Sequence, residues 1–119
     1  MTATKTARSI IASQTQAALA AAVTGAWDLH TALGGLLTVR ITNGATGPTI
    51  GSTVTVNVST NNSTWRKLAA VTAGVANSEV DDFPFTIPPE TMYVQVSIVG
   101  NTGQTVTIEA LGHELTSIA

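Results

Sequence analysis

The chain has 119 residues and no cysteine, which suits a single domain and excludes disulfide frameworks, thiolate nucleophiles and cysteine-bound metals. Only 10% of its residues are charged and its net charge is -2, so the basic surface that nucleic-acid binders need is missing. This charge content lies well below the roughly 25% of an ordinary soluble domain. It favours a surface that packs against neighbouring subunits, because charged groups are depleted from interface cores.

The N-terminal segment, residues 1–23, has the weakest pattern. Residues 7–13 are compatible with a strand, whereas residues 14–23 predict a loop or a single helical turn, because they are too few for an isolated helix. An Ala-rich apolar stretch follows two basic residues, as in a signal peptide, but the polar residues 13–16 interrupt it. We therefore expect no secretion signal, no membrane span and synthesis in the host cytoplasm.

Two further strands are predicted before the middle of the chain. Residues 25–29 form a short candidate strand. Residues 35–42 alternate, with Leu37, Val39 and Ile41 on one face, and an Asn-Gly pair ends the run.

A central hairpin is predicted over residues 52–59 and 65–71, joined by the turn-forming residues 60–63. Val54, Val56 and Val58 share one face of its first strand. The same region contains three Asn-x-Ser/Thr glycosylation triplets, which begin at Asn57, Asn61 and Asn62. Without a secretory route these triplets are interpreted as chance products of a Ser/Thr/Asn-rich hairpin.

Three strands are predicted after the central hairpin. Residues 79–87 read as an edge strand, because Pro84 has no N–H to donate to a ladder. Residues 92–99 and 105–110 alternate around a Gly-rich turn, and we predict that they pair with each other as a hairpin. Val96 and Ile108 are expected to face the interior.

About eight short strands separated by turn signals predict an all-β fold, an antiparallel β-sandwich or jelly roll. Residues 24–119 are expected to form this single domain. Residues 1–23 are expected to precede it as an arm or as a first strand plus loop.

Enzyme chemistry has little support in the sequence. A nucleophile needs a neighbouring base, yet the histidines are His30 and His113 and no Gly-x-Ser-x-Gly elbow occurs. Adjacent Asp81 and Asp82 would face opposite sides of a strand, which does not suit paired-carboxylate catalysis. The sequence likewise contains no short metal-ligand spacing or cofactor motif. We therefore expect a protein without catalytic, metal or cofactor sites.

Glycan binding is the best small-ligand alternative. Trp65 and Tyr93 could stack a sugar, with Asn61 and Asn62 as hydrogen-bonding groups, and Trp27 is a further aromatic. The competing interpretation, which we favour, is that Trp65 packs against the sandwich and supports its stability.

A resemblance narrows these alternatives. The stretches GGLLTVRITNGATGPT, VTVNVSTNNSTWRKLAAV and MYVQVSIVGNTGQTVTIEALGHEL resemble small virion structural proteins of tailed double-stranded DNA bacteriophages. The resemblance spans most of the chain, from Ala7 to Leu115. It implies a β-sandwich module that decorates or cements a capsid, or that forms part of a tail or fibre. It supplies no functional motif to transfer to individual residues.

The leading hypothesis is a non-enzymatic capsid decoration or cement protein on the virion surface. It is expected to be a homo-oligomer, and its partners are expected to be the major capsid protein and copies of itself. The alternative is a tail, fibre or baseplate module that binds host glycan. Under the first hypothesis the N-terminal segment is expected to supply the interface residues, which are Lys5, Arg8, Ile10, Ile11 and Leu19.

Overall fold

The computed structural model describes residues 3–118, and all of their regular secondary structure is β. The predicted all-β class is confirmed. Among these residues there is no helix, and therefore none that is long and apolar enough to cross a membrane. The eight strands are β1 (Ala3–Gln16), β2 (Val23–Asp28), β3 (Gly35–Asn43), β4 (Thr53–Ser59), β5 (Arg66–Thr72), β6 (Val80–Ile87), β7 (Tyr93–Val99) and β8 (Val106–Ile118).

The strands form two four-stranded antiparallel sheets that face each other as a sandwich. The first sheet has the order β1-β8-β3-β6 and the second has the order β2-β7-β4-β5. Strand pairing is nested, since β1 pairs with β8, β2 with β7, β3 with β6 and β4 with β5. In this nesting, one long hairpin is folded around the core of a β-sandwich.

The core lies between the sheets and is made by every second residue of the inner strands. The predicted inward positions Val56, Val96 and Ile108 are fully buried, which confirms their register. Removing such side chains from water is the main term that stabilises the fold, at about 25 cal/mol per Å² of apolar surface. The other buried strand residues include Leu37, Val39, Ile41, Val54, Val94, Ile98, Val106 and Ala110.

The predicted terminal hairpin is wrong. Strands β7 and β8 belong to different sheets, and residues 100–105 carry the chain from one sheet to the other. β8 pairs with β1 and β3 instead. Alternation of apolar and polar residues identifies the buried face of a strand but not its neighbour. Two strands that face each other across the core show the same alternation as two strands that pair within one sheet.

The predicted loop or helical turn over residues 14–23 is also partly wrong, because β1 continues to Gln16. The N-terminal segment lies as a first strand, paired with β8 of the same chain through three register shifts. Towards their termini β1 and β8 extend past the end of β3, whose first residue, Gly35, lies opposite Glu114. Residues 3–5 of β1 and residues 115–118 of β8 therefore form a two-stranded ribbon, which we name the terminal ribbon.

The sheets approach each other closely where β1 crosses β2. The backbone of Gly25 lies against the carbonyl of Ile10, so that no side chain larger than hydrogen fits there. At the other side of the first sheet, β6 is the edge strand that Pro84 predicted. Beyond Gly25, towards Asp28, the space between β1 and β2 opens into a cleft.

Antiparallel pairing divides the connections between two ends of the sandwich. The apolar end, as we name it, consists of residues 17–22, 44–52, 73–79 and 100–105. The cleft end consists of residues 29–34, 60–65 and 88–92 together with the terminal ribbon. These two ends differ in charge and shape.

Candidate functional site

The apolar end exposes large aliphatic side chains. Leu19 is 81% exposed, Ile50 is 56% exposed and Val99 is 37% exposed. Three of the four connections at this end contain no charged residue, and the fourth contains only Glu79. An uncharged surface with protruding aliphatic groups loses little on desolvation and is suited to burial against another protein.

Leu19 is held in an unusual backbone conformation. Its φ of 60° lies in the left-handed region, which costs a leucine about 1–2 kcal/mol. Its backbone N–H donates to the carbonyl of Asn101 at 3.0 Å, and the N–H of Ala20 donates to the carbonyl of Ala17 at 3.2 Å. These bonds fix the turn and keep the Leu19 side chain pointing away from the sandwich.

Buried amides tie the connections of the apolar end together. Gln16 Nε2 donates to the carbonyl of Ile98 at 2.8 Å, and Asn101 Nδ2 donates to the carbonyls of Gln16 and Gln104 at 3.2 and 2.9 Å. Asn43 Nδ2 donates in the same way to the carbonyls of Gly74 and Ala76, at 3.1 and 2.9 Å. The aliphatic surface therefore stands on a hydrogen-bonded base.

Two carboxyl groups lie next to each other at the rim of the apolar end. Asp81 accepts a hydrogen bond from the Gly74 N–H at 2.9 Å, and Glu79 accepts one from the Ala76 N–H at 3.3 Å. The pKa of Glu79 is raised, chiefly by a side-chain hydrogen bond with Asp81 and further by partial desolvation and by the negative charge of Asp81. Protonation of Glu79 therefore relieves repulsion at this end.

The cleft end contains a cavity of about 360 Å³ between β1 and β2, which we name the β1–β2 cleft. Its walls carry Arg8 and Ile10 from β1, Trp27 and Asp28 from β2, His30 from the following loop and Glu114 from β8. Arg8 Nε donates to Glu114 Oε1. Because Glu114 is buried and Arg8 is exposed, the pair brings a charged group to the bottom of the cleft and another to its mouth.

A second polar pair stands on the opposite wall. Asp28 Oδ1 accepts from the backbone N–H of His30 at 3.0 Å and lies 2.5 Å from its Nδ1. The pKa of Asp28 is lowered, first by the backbone N–H of His30 and then by its side chain. The imidazole of His30 stacks on Tyr93, with ring centroids 6.2 Å apart, so the position of the pair is fixed.

Trp27 forms part of the cleft wall and is only 3% exposed. Its ring packs on Gly112, where an added Cβ would lie 2.8 Å from the indole. The Trp27 Nε1–H is buried and has no hydrogen-bond partner among residues 3–118. Its ring face is therefore covered by protein and does not offer a surface on which a sugar could stack.

A second cavity, of about 440 Å³, lies beside the central hairpin and is named the hairpin pocket. It is lined in part by Asn61, Arg66, Glu90 and Met92. Asn61 Oδ1 accepts from the N–H groups of Ser63 and Thr64 at 3.0 and 2.9 Å. The side-chain oxygen of Asn61 is thus occupied in shaping its own turn.

The predicted glycan residues are not brought together as one platform. Asn62 is exposed with a φ of 58°, which makes it a turn residue. Trp65 is only partly buried and is not one of the buried core residues. Tyr93 lies between Asp28 and Ser59 in the sheet and stacks on His30, so it belongs to the neighbourhood of the β1–β2 cleft.

The predicted interface residues are also distributed over different environments. Ile11 is in the core at 3% exposure, and Ile10 packs against the core, so Ile11 is unavailable to a partner in this fold. Arg8 is engaged by Glu114. Lys5 and Leu19 are exposed at opposite ends of the molecule. Of the five, Leu19 fits an interface best.

Some functional groups escaped the sequence analysis. Gln16, Asn43 and Asn101 looked like turn or loop residues, and their position at or just after strand ends was the available signal. A cleft lined by Asp28 and Glu114 was not predicted, because no local motif links these two residues. No cluster of three or more His, Cys, Asp or Glu side chains that could hold a metal ion is found within residues 3–118.

Comparison with known proteins shows the fold and no more. No family model and no curated protein matches the chain. The chain resembles the K3 cleaved adhesin domain of Lys-gingipain from Porphyromonas gingivalis, with 12% identity, a TM-score of 0.55 and coverage of 83% of this chain and 71% of that one.

Two other solved structures share the architecture. A chain of the disulfide-linked pili of Bacillus endospore appendages is 15% identical, with a TM-score of 0.52 and coverage of 98% of this chain and 93% of that one. The enzymatically active domain of tailspike protein 4 of bacteriophage CBA120 is 8% identical, with a TM-score of 0.52 and coverage of 95% of this chain. This chain spans only 19% of that tailspike chain. Together these likenesses show the β-sandwich fold.

Proposed function

We propose that the protein is a non-enzymatic structural subunit of a phage virion, and that it decorates or cements the capsid by docking through its apolar end. Its partners are the major capsid protein and further copies of itself. The observation that carries the proposal is the exposure of Leu19, Ile50 and Val99 at one nearly uncharged end of the sandwich. The low charge of the whole chain and the resemblance to small virion proteins support it.

The rigidity of the apolar end strengthens this proposal. A surface that is already ordered before docking loses little conformational entropy on binding, which favours affinity. Gln16 and Asn101 supply that order through hydrogen bonds to the backbone. The side chain of Leu19 is 81% exposed on a strained backbone, so it contributes little to the isolated fold and is a candidate contact.

Fractionation of virions tests the proposal. The protein is expected to remain with purified heads, and heads that lack it are expected to lose DNA at a lower temperature or under milder osmotic shock. Leu19→Asp is expected to prevent rebinding to stripped heads, whereas the matched exposed change Thr60→Asp at the cleft end is expected to leave it intact. Recovery only with detached tails would contradict the proposal.

Glycan binding by a tail, fibre or baseplate module is the second candidate function. The specific observation in its favour is that the cleft end carries two cavities lined by charged and amide side chains. The connections of the apolar end, in contrast, carry almost no charge. A screen of the wild-type protein on a glycan array tests this candidate. Specific retention of a glycan supports it, and the absence of any retained glycan contradicts it.

A further inference from the structure

We propose that the β1–β2 cleft is a binding site for a single sugar unit of a glycan. The inference rests on the second candidate function and moves the glycan site away from Trp65, where the sequence placed it. The ligand would sit between the Arg8–Glu114 pair on one side and the Asp28–His30 pair on the other. Ile10 would contribute an apolar contact, and the buried Trp27 forms part of the wall.

The size and the lining of the cleft match such a ligand. Its volume of about 360 Å³ lies at the small end of the range for ligand pockets, which suits one sugar ring better than an extended chain. The lining combines apolar side chains with a few polar groups in defined positions. That combination fixes the orientation of a ligand while burying its C–H faces.

The polar groups are positioned before any ligand arrives. Each of the two pairs holds its members by a hydrogen bond, and His30 is supported further by Tyr93. The bond between Arg8 and Glu114 uses Nε, and the two terminal guanidinium nitrogens can reach a ligand. Preorganised groups of this kind lose little side-chain entropy on binding, which raises affinity.

The charged groups of the cleft suit hydroxyl groups better than an ion. The carboxylates of Asp28 and Glu114 disfavour an anion, and the guanidinium of Arg8 offers only N–H donors, from which an ammonium group cannot accept. Hydroxyl groups both donate and accept hydrogen bonds, so a sugar satisfies carboxylates and a guanidinium at the same time. A saccharide therefore fits the four polar side chains better than a phosphate or an amine does.

Trp27 shapes the wall of the cleft and offers a ligand little surface. The residue lines the cleft but is only 3% exposed, and its Nε1–H is itself buried. Recognition of the sugar is therefore assigned to the four polar side chains, and Trp27 serves as the reporter beside them.

The experiment uses the full chain and defined probes. Methyl glycosides of glucose, galactose, mannose and N-acetylglucosamine are titrated while tryptophan fluorescence and saturation-transfer NMR are recorded. The chain has two tryptophans, so a Trp65→Phe background makes Trp27 the reporter. At least one probe is expected to change Trp27 fluorescence saturably, with a dissociation constant on the order of 1 mM.

A matched pair of variants locates the site. Asp28→Asn lies in the β1–β2 cleft and Glu90→Gln lies in the hairpin pocket, and each converts one exposed carboxylate into an amide. Because hydrogen bonds to charged groups are stronger than neutral ones, Asp28→Asn is expected to weaken binding about tenfold or more. Glu90→Gln is expected to leave binding unchanged. Melting curves at pH 7 check that both variants remain folded.

Two outcomes would overturn the inference and are distinguishable. If Glu90→Gln weakens binding and Asp28→Asn does not, the glycan site is the hairpin pocket, and the second candidate function survives without the cleft. If none of the four glycosides binds at millimolar concentration, the cleft assignment fails. The glycan array then decides separately whether the second candidate function fails with it.

Discussion

The two ends of the sandwich are built from the same strands but have opposite surfaces. The apolar end presents Leu19 and Ile50 on connections that are almost free of charge, and Val99 at the adjoining end of β7. The cleft end gathers Arg8, Glu114, Asp28 and His30 around a cavity. A surface of the first kind suits permanent burial against protein, whereas the second suits reversible binding of a polar ligand.

The difference follows from the topology. With antiparallel nested pairing, the connections after β1, β3, β5 and β7 meet at one end, and those after β2, β4 and β6 meet the chain termini at the other. Residues distant in sequence, such as Arg8 and Glu114, therefore become neighbours at the cleft end. One small domain can thus separate an assembly surface from a ligand surface along a single axis.

The largest expected effect concerns the buried tryptophan at the cleft end. Trp27→Ala removes a buried ring and is expected to lower the free energy of unfolding by about 3–5 kcal/mol. Trp65→Ala, the matched control, is expected to cost less than half as much because Trp65 is only partly buried. Thermal and denaturant melting measure both. A larger loss for Trp65→Ala would mean that the hairpin, and not the cleft, carries the structural tryptophan.

The next effect tests the base of the apolar end. Asn101→Ala removes one hydrogen bond that ties residues 100–105 to Gln16 and another to Gln104 within the same connection, and is expected to cost about 1–3 kcal/mol. Asn61→Ala at the cleft end also deletes a bonded amide, but an exposed one, and is expected to cost about 1 kcal/mol or less. Hydrogen exchange should show faster opening of residues 17–22 in the Asn101 variant alone. Equal losses of unfolding free energy for the two variants would contradict the claim that buried amides hold the connections of the apolar end in place.

Acidification is expected to act on the two ends with opposite signs. The raised pKa of Glu79 means that its contribution to stability is complete below its unfolded pKa of 4.5 and is lost as the pH rises through the folded pKa. The lowered pKa of Asp28 means that its contribution is present above its unfolded pKa of 3.8 and is lost as the pH falls through the folded pKa.

Denaturant melts of Glu79→Gln and Asp28→Asn between pH 7 and pH 2 check these signs. Glu79→Gln is expected to reduce the gain in stability that the wild type shows between pH 7 and about pH 4.5. Asp28→Asn is expected to reduce the loss that begins below about pH 4. The Asp82–Arg40 pair on the first sheet contributes to the same acid loss, so Asp82→Asn serves as the additive control. Reversed signs would contradict the assigned hydrogen bonds.

The smallest effect on stability concerns Leu19. Leu19→Gly relieves the left-handed strain but increases the freedom of the unfolded chain, so it is expected to stabilise the protein by about 1 kcal/mol or less. Its effect on assembly is expected to be much larger, because it deletes the most exposed aliphatic side chain. Melting together with head rebinding separates the two. A strongly destabilised Leu19→Gly variant would show that the side chain serves the fold.

Sequence alone was sufficient for the local features of the fold. Alternation placed Val56, Val96 and Ile108 inside correctly, and Pro84 identified an edge strand. It failed for the pairing of β7 and β8, since alternation carries no information about the neighbouring strand. Long-range pairing is determined by the whole nested fold.

The candidate sites were harder to predict for the same reason. The β1–β2 cleft combines residues from both ends of the chain with residues from β2, and no local motif links Arg8 to Asp28. Trp27 and Trp65 could not be ranked by burial from sequence, because the space for Trp27 is made by the distant Gly112. Leu19 was singled out, but its left-handed backbone and its exposure are visible only in three dimensions.

An electron cryo-microscopy reconstruction of purified virions tests the central claim most directly. The account predicts that Leu19, Ile50 and Val99 are buried against the capsid or a neighbouring copy, while the β1–β2 cleft opens to solvent. Burial of the cleft end with the apolar end exposed would contradict the assignment of roles to the two ends, and absence of the protein from the particle would contradict its place in a virion.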